Sequence, residues 1–100
     1  MFGTIAILKP RSGQDIAVFE ALNAWWEERR PKVQGAIANT LHRNDRNPQE
    51  LIMSVVFDSK ENYEANASDP EQDKWYQHLR GLLESDPVWM DGDVLACKHV

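Results

Sequence analysis

LIMSVVFDSKENYEANASDPEQDKWYQHLRGLL, residues 51–83, decides the fold. It opens on a short apolar run, residues 51–58, rich in β-branched side chains and read as a strand. Asp58 and Glu61 then have the spacing of a capping box for a helix from about residue 60 to 67. A second start signal follows at SDPE, residues 68–71: Asp69 can cap, Pro70 suits the first helical position and Glu71 suits the first turn. From there Trp75, Tyr76, Leu79, Leu82 and Leu83 make one apolar stripe to about residue 84. The stretch therefore predicts a strand followed by a helix that breaks or bends near Ser68–Pro70.

Working outward, residues 2–9 (FGTIAILK) read as a strand ended by Pro10, and residues 10–14 carry turn chemistry. Residues 14–30 read as a helix. At 100° per residue, Val18, Phe19, Leu22, Trp25 and Trp26 fall within about 120° of arc. Ser12 or Gly13 can cap its start, Asp15 suits the first turn, and Pro31 disfavours helical geometry at Arg30. Residues 35–43 read as a strand, and a seven-residue polar loop, 44–50, joins it to residues 51–58 as an antiparallel hairpin. At the other end, residues 85–93 read as a loop with turn signals and 94–99 as a last strand. The order is βαββαβ over a single domain, residues 1–100: a ferredoxin-like α+β fold with a four-stranded antiparallel sheet, two helices on one face and right-handed crossovers.

Two helices cover one face of such a sheet, yet both faces are apolar. Leu51, Met53, Val55 and Phe57 point one way, and Ile52, Ser54 and Val56 the other; Ile5 and Ile7 oppose Phe2, Ala6 and Leu8. Leaving aliphatic side chains in water forgoes roughly 1.5–3 kcal/mol each. The expected remedy is a second copy packed sheet to sheet, a homodimeric α/β barrel. A loop, 85–93, folded over that face is the alternative.

Bulk composition excludes several functions. The net charge of −5 and scattered Lys and Arg argue against nucleic-acid binding. The N-terminal segment MFGTIAILKP has no basic region and too short an apolar run for a signal peptide, and no stretch approaches the length of a membrane span. Cys97 is the single cysteine, so no intrachain disulfide forms. A cytoplasmic protein without a membrane partner is expected.

With these elements placed, the chain resembles the antibiotic biosynthesis monooxygenase-like family of dimeric α/β-barrel proteins. The resemblance runs along nearly the whole chain and is most specific over residues 55–83, where Phe57, Ser59, Tyr63, Asp69-Pro70-Glu71 and Trp75 occupy the family's marker positions. It implies the fold and dimer given above. It also implies a scaffold used for cofactor-free oxidation of aromatic polyketides and quinols, for haem degradation, or for binding without a known reaction. The haem-degrading branch carries Asn on the first strand, Trp ending the third and His on the second helix; here Thr4, Phe57 and Trp75 stand there, and all three depart.

Cofactor-free oxidation of an electron-rich aromatic needs a base, hydrogen-bond donors and a dry pocket. The base candidates are His42 and His78. Asn39, Tyr63 and Tyr76 are donor candidates, with Trp25, Trp26, Trp75 and Phe57 as walls. Trp25 and Trp26 diverge by 100° and cannot share one direction. Against this stand plainer readings: aromatics as core, and His42 as a surface residue near a hairpin end. No cofactor is expected. His42, His78 and His99 show no metal-ligand spacing, and Asp91-Gly92-Asp93 reads as a turn rather than a calcium loop. The sequence thus leaves an enzyme or binder of a small aromatic molecule, a non-catalytic assembly module, and haem binding to be told apart.

Overall fold

The computed structural model describes residues 1–98. The chain runs β1 (Phe2–Leu8), α1 (Asp15–Ala24), a π-helical turn Trp25–Arg29, a 3-10 turn Arg30–Lys32, β2 (Ala36–Arg43), β3 (Leu51–Phe57), α2 (Lys60–Ala67), α3 (Pro70–Gly81) and β4 (Val88–Asp93). The four strands form one antiparallel sheet in the order β2-β3-β1-β4. This is the ferredoxin-like α+β arrangement that the element order implies.

The break between α2 and α3 falls where the local chemistry places it. Asp69 caps α3, its side chain accepting from the Glu71 backbone N–H at 2.9 Å, with Pro70 in the first turn. The cap of α2 differs from the expected capping box. Ser59, not Asp58, is the cap, its Oγ accepting from the Asn62 N–H at 3.1 Å. Asp58 instead accepts from the Asn62 side chain at 2.8 Å, while its own N–H donates to the Gly35 carbonyl. The start of α1 differs too. Gln14 is its cap without a side-chain bond, because residues 12 and 13 are used by the preceding turn.

The buried face of α1 is Val18, Ala21 and Leu22, continued by Trp25 of the π-helical turn as an i, i+3, i+4, i+7 set. The expected stripe ran further round: Phe19 is 57% exposed and Trp26 half-buried, each one residue past a buried neighbour. Val18, Ala21 and Leu22 meet Ala6 and Leu8 of β1, Leu51 and Met53 of β3, and Leu79 and Leu83 from the end of α3. Backbone bonds from Arg11 N–H to Leu82 C=O (2.8 Å) and from Glu84 N–H to Lys9 C=O (2.9 Å) tie that end to the exit of β1.

β4 is the main correction. Residues 85–93 were expected as loop and 94–99 as strand, but the strand is VWMDGD, residues 88–93. Its composition gives little strand signal. It forms because β1 presents a free edge: Ile7 pairs with Val88, Ala6 with Trp89 and Thr4 with Asp91. Cross-strand pairing overrides weak propensity at an edge. Residues 94–98 are not strand, and His99 lies outside the described residues.

With 88–93 paired to β1 as the edge strand, this segment does not fold over the sheet's second face. Ile5, Val88 and Met90 there are 46%, 54% and 49% exposed. Val94, Ala96 and Cys97 border a groove on it together with Ile5, Ala38 and Met90. Among the described residues no helix is long and apolar enough to cross a membrane.

Gly3 packs against the β3 backbone, and a Cβ there would overlap the Val55 carbonyl oxygen. Gly3→Ala is therefore expected to destabilise the fold by about 1–3 kcal/mol, read as a lower urea midpoint at unchanged slope.

Candidate functional site

The sheet register places four side chains in one row on the helix-covered face. Asn39 of β2 is opposite Val55 of β3, Val55 opposite Thr4 of β1, and Thr4 opposite Asp91 of β4. Thr4 is the buried polar residue of the described chain, at 5% exposure. This row floors a cavity of about 440 Å³ between sheet and helices. It is polar at both ends and apolar or hydroxylic in the middle. With strands about 4.8 Å apart, its ends lie roughly 14 Å from one another.

The walls are largely aromatic. Trp25 enters from the π-helical turn, Tyr63 from α2, Trp75 and Tyr76 from α3, Phe57 from the end of β3 and Trp89 from β4. The Trp25 and Trp75 ring centres are 6.4 Å apart at 58°. Phe57 and Tyr63 meet edge to face at 5.6 Å, and Tyr76 and Trp89 lie 6.1 Å apart. These are ordinary favourable aromatic geometries.

The polar tips of these rings are anchored. The Trp75 indole N–H donates to the Ala21 carbonyl at 2.8 Å, fixing α3 to α1. The Trp25 indole N–H donates to Gln72 Oε1 at 2.6 Å. Arg29, one turn beyond Trp25, donates to the same oxygen at 3.2 Å and to Asn66 Oδ1 at 3.4 Å, and pairs with Asp69 at 3.6 Å. Both bonds to Gln72 use its oxygen, so its amide N–H₂ group is left to donate elsewhere. The π-helical turn, a feature frequent at functional sites, thus brings Trp25 and Arg29 together on one amide.

At the other end the Tyr63 hydroxyl donates to Asp91 Oδ1 at 3.1 Å. Burial, then the Asp91 charge and hydrogen bond, push the Tyr63 pKa up to about 12. Tyr76 is raised as well, first by burial and then by Asp86, with Arg80 opposing. At neutral pH both are neutral hydroxyls, suited to hydrogen bonding rather than to proton abstraction.

The candidates from the sequence separate cleanly. Asn39, Phe57, Tyr63, Trp75 and Tyr76 all line the cavity. Of the Trp pair, Trp25 lines it, while Trp26 lies outside under the Arg30 guanidinium, 5.1 Å from its ring centre. Neither His42 nor His78 is on the wall; both are exposed, and His42 pairs with Ile52 on the uncovered face of the sheet. Thr4, Phe57 and Trp75, at the positions where haem-degrading relatives carry Asn, Trp and His, do share the cavity. None of the three can ligate iron, so these residues do not fit a haem held in that way. Sequence reasoning missed Asn66, Gln72, Asp73, Trp89 and Asp91. Gln72 was findable one turn before Trp75; Trp89 and Asp91 were hidden by reading β4 as loop.

The raised Tyr63 pKa carries a pH consequence. Its folded value exceeds the usual 10.0, so the stability tied to it is whole below that value and lost as pH rises through 10.0 to about 12. Tyrosinate absorbance, taken as the difference between the protein and Tyr63→Phe, should show this residue ionising near the upper value, and Asp91→Asn should bring it down.

No family model matches the chain, and no curated protein matches it by sequence. Solved structures do match by shape. A Caulobacter crescentus protein provisionally named an antibiotic biosynthesis monooxygenase superposes with a TM-score of 0.82 at 12% identity, over 95% of this chain and 90% of its own. Rv0793 of Mycobacterium tuberculosis gives 0.79 at 17% identity, over 98% of each. A Nitrosomonas europaea protein with the same provisional name gives 0.79 at 12%, over 96% of this chain and all of its own. At these identities the likeness is one of backbone, and it accords with the resemblance read from residues 55–83: the chain has the ferredoxin-like fold of structures named antibiotic biosynthesis monooxygenases.

Proposed function

We propose that the protein binds a small planar aromatic molecule in the cavity between helices and sheet. The observation that carries this is six aromatic residues around about 440 Å³, over a floor whose ends, Asn39 and Asp91, can hydrogen-bond. Flat ligands gain from stacking and burial in such a space, and a few placed polar groups set their orientation.

The names of the similar structures favour a further step, monooxygenation, and the resemblance of residues 55–83 suggests a version that needs no cofactor. In that reading a wall carboxylate, Asp73 or Asp91, takes a proton from the substrate, and the resulting aromatic anion passes electrons to dioxygen. One oxygen atom enters the ring system, two hydrogens leave it, and the second oxygen departs as water. The Asn39 side-chain amide would donate to the developing anion. Quinols and anthrones titrated against tryptophan fluorescence test the binding, with oxygen uptake testing turnover. Quenching without oxygen uptake would leave a binder; a flat titration for every member would remove both.

We also infer that two copies pair through the uncovered sheet face. Its three cross-strand rows run from Thr40 through Ser54 and Ile5 to Met90, from His42 through Ile52 and Ile7 to Val88, and from Ala38 through Val56 and Gly3 to Gly92. They contain no Asp, Glu, Lys or Arg. A face so free of charge, with large apolar side chains about half exposed, suits a two-fold self-contact. Sedimentation at micromolar concentration should give twice the chain mass, and Met90→Lys or Ile5→Lys should give the single-chain mass with the fold intact.

A further inference from the structure

The charge on the cavity wall narrows the ligand class, an inference that rests on the binding role proposed above. Among the described residues the lining includes two carboxylates, Asp73 and Asp91, and no Lys, Arg or His. The nearby cations are directed elsewhere. Arg29 is engaged with Gln72, Asn66 and Asp69. Arg80 is bonded to Asp86 at 2.6 Å. Lys60 lies over the Phe2 ring, 5.6 Å from its centre, outside the lining. Asp91 spends one oxygen on the Tyr63 hydroxyl and keeps the other. Trp89 lies two residues from Asp91 on the same side of β4, and its ring meets that of Tyr76. Tyr76 in turn stands one turn beyond Asp73 on α3. The Tyr76–Trp89 contact thus links the Asp73 side of the wall, on α3, to the Asp91 side, on β4; Asp73 accepts from the Gln77 amide at 3.4 Å through one oxygen and keeps the other. A negatively charged ligand would meet repulsion here with no compensating cation, whereas a cation meets carboxylates and ring faces together.

We propose that the cavity takes an aromatic amine in its protonated form, the ring lying among Trp25, Phe57 and Trp75 and the ammonium toward Asp91 and Asp73 beside Trp89 and Tyr76. The chain's net charge of −5 acts in the same sense, drawing cations and repelling anions on approach.

Three probes of one shape test this at neutral pH: naphthylmethylamine as the cation, naphthylmethanol as the neutral form and naphthoate as the anion, each titrated against tryptophan fluorescence. The amine should bind about tenfold more tightly than the carboxylate, with the alcohol between them, the scale expected of a partly desolvated charge contact. Added salt should shrink the amine-to-carboxylate ratio, and Asp91→Asn and Asp73→Asn should each shrink it further. Equal binding of the three probes, or a ratio that neither substitution moves, overturns the amine assignment while the aromatic-binding role stands. Binding of none of them overturns both.

Discussion

β1 is paired along nearly its full length on both sides, with β3 and with β4, and the rest of the molecule is arranged around that double pairing. Gly3 lets β1 and β3 approach closely at one end. At the other end the segment after β1 bonds to the end of α3, which pins the helical layer to the sheet. Between these points the side chains of β1 alternate. Ala6 and Leu8 enter the core and Thr4 enters the cavity, while Ile5 emerges on the uncovered face. One strand therefore contributes to core, site and bare face at once, because a pleated backbone sends neighbours to opposite sides.

The cavity exists because the core is concentrated toward one end of the helical layer. Ala6, Leu8, Leu51, Met53, Leu79 and Leu83 are packed against α1. Toward Thr4, Val55 and Phe57 the covering side chains are large rings held at their edges by hydrogen bonds. Trp75 is held by Ala21, Trp25 by Gln72 and Tyr63 by Asp91. Rings anchored by their polar tips cannot collapse freely into the space beneath them. Arg29 reinforces this by joining α1's π-helical extension to both α2 and α3 through Asn66 and Gln72. The space left over is bounded by aromatic carbon and a few oriented polar groups, which is the surface composition that small planar ligands favour.

How much of this was legible before the fold was known depends on the range of the interaction responsible. The break at Ser68–Pro70 was readable because Asp69, Pro70 and Glu71 act within one helical turn. The two-sided apolar character of β1 and β3 was readable from alternation alone, because side chains two apart on a strand share a face. β4 was not, since Asp91-Gly92-Asp93 looks like a turn until β1 supplies its partners. The choice between Trp25 and Trp26 was equally hidden, because both fit the helical arc and the bond to Gln72, 47 residues away, selects Trp25.

The elements from β1 to α3, the helix break and the surplus of apolar side chains on the sheet can be read from the chain alone, because each follows from neighbours within a few residues. The place of β4, the row that joins Asn39, Val55, Thr4 and Asp91, and the position of His42 and His78 away from the cavity wall come instead from contacts between distant segments. Register between strands far apart in the chain sets which residues share a row, and a side chain's face acquires meaning only when one face of the sheet is covered and the other is not.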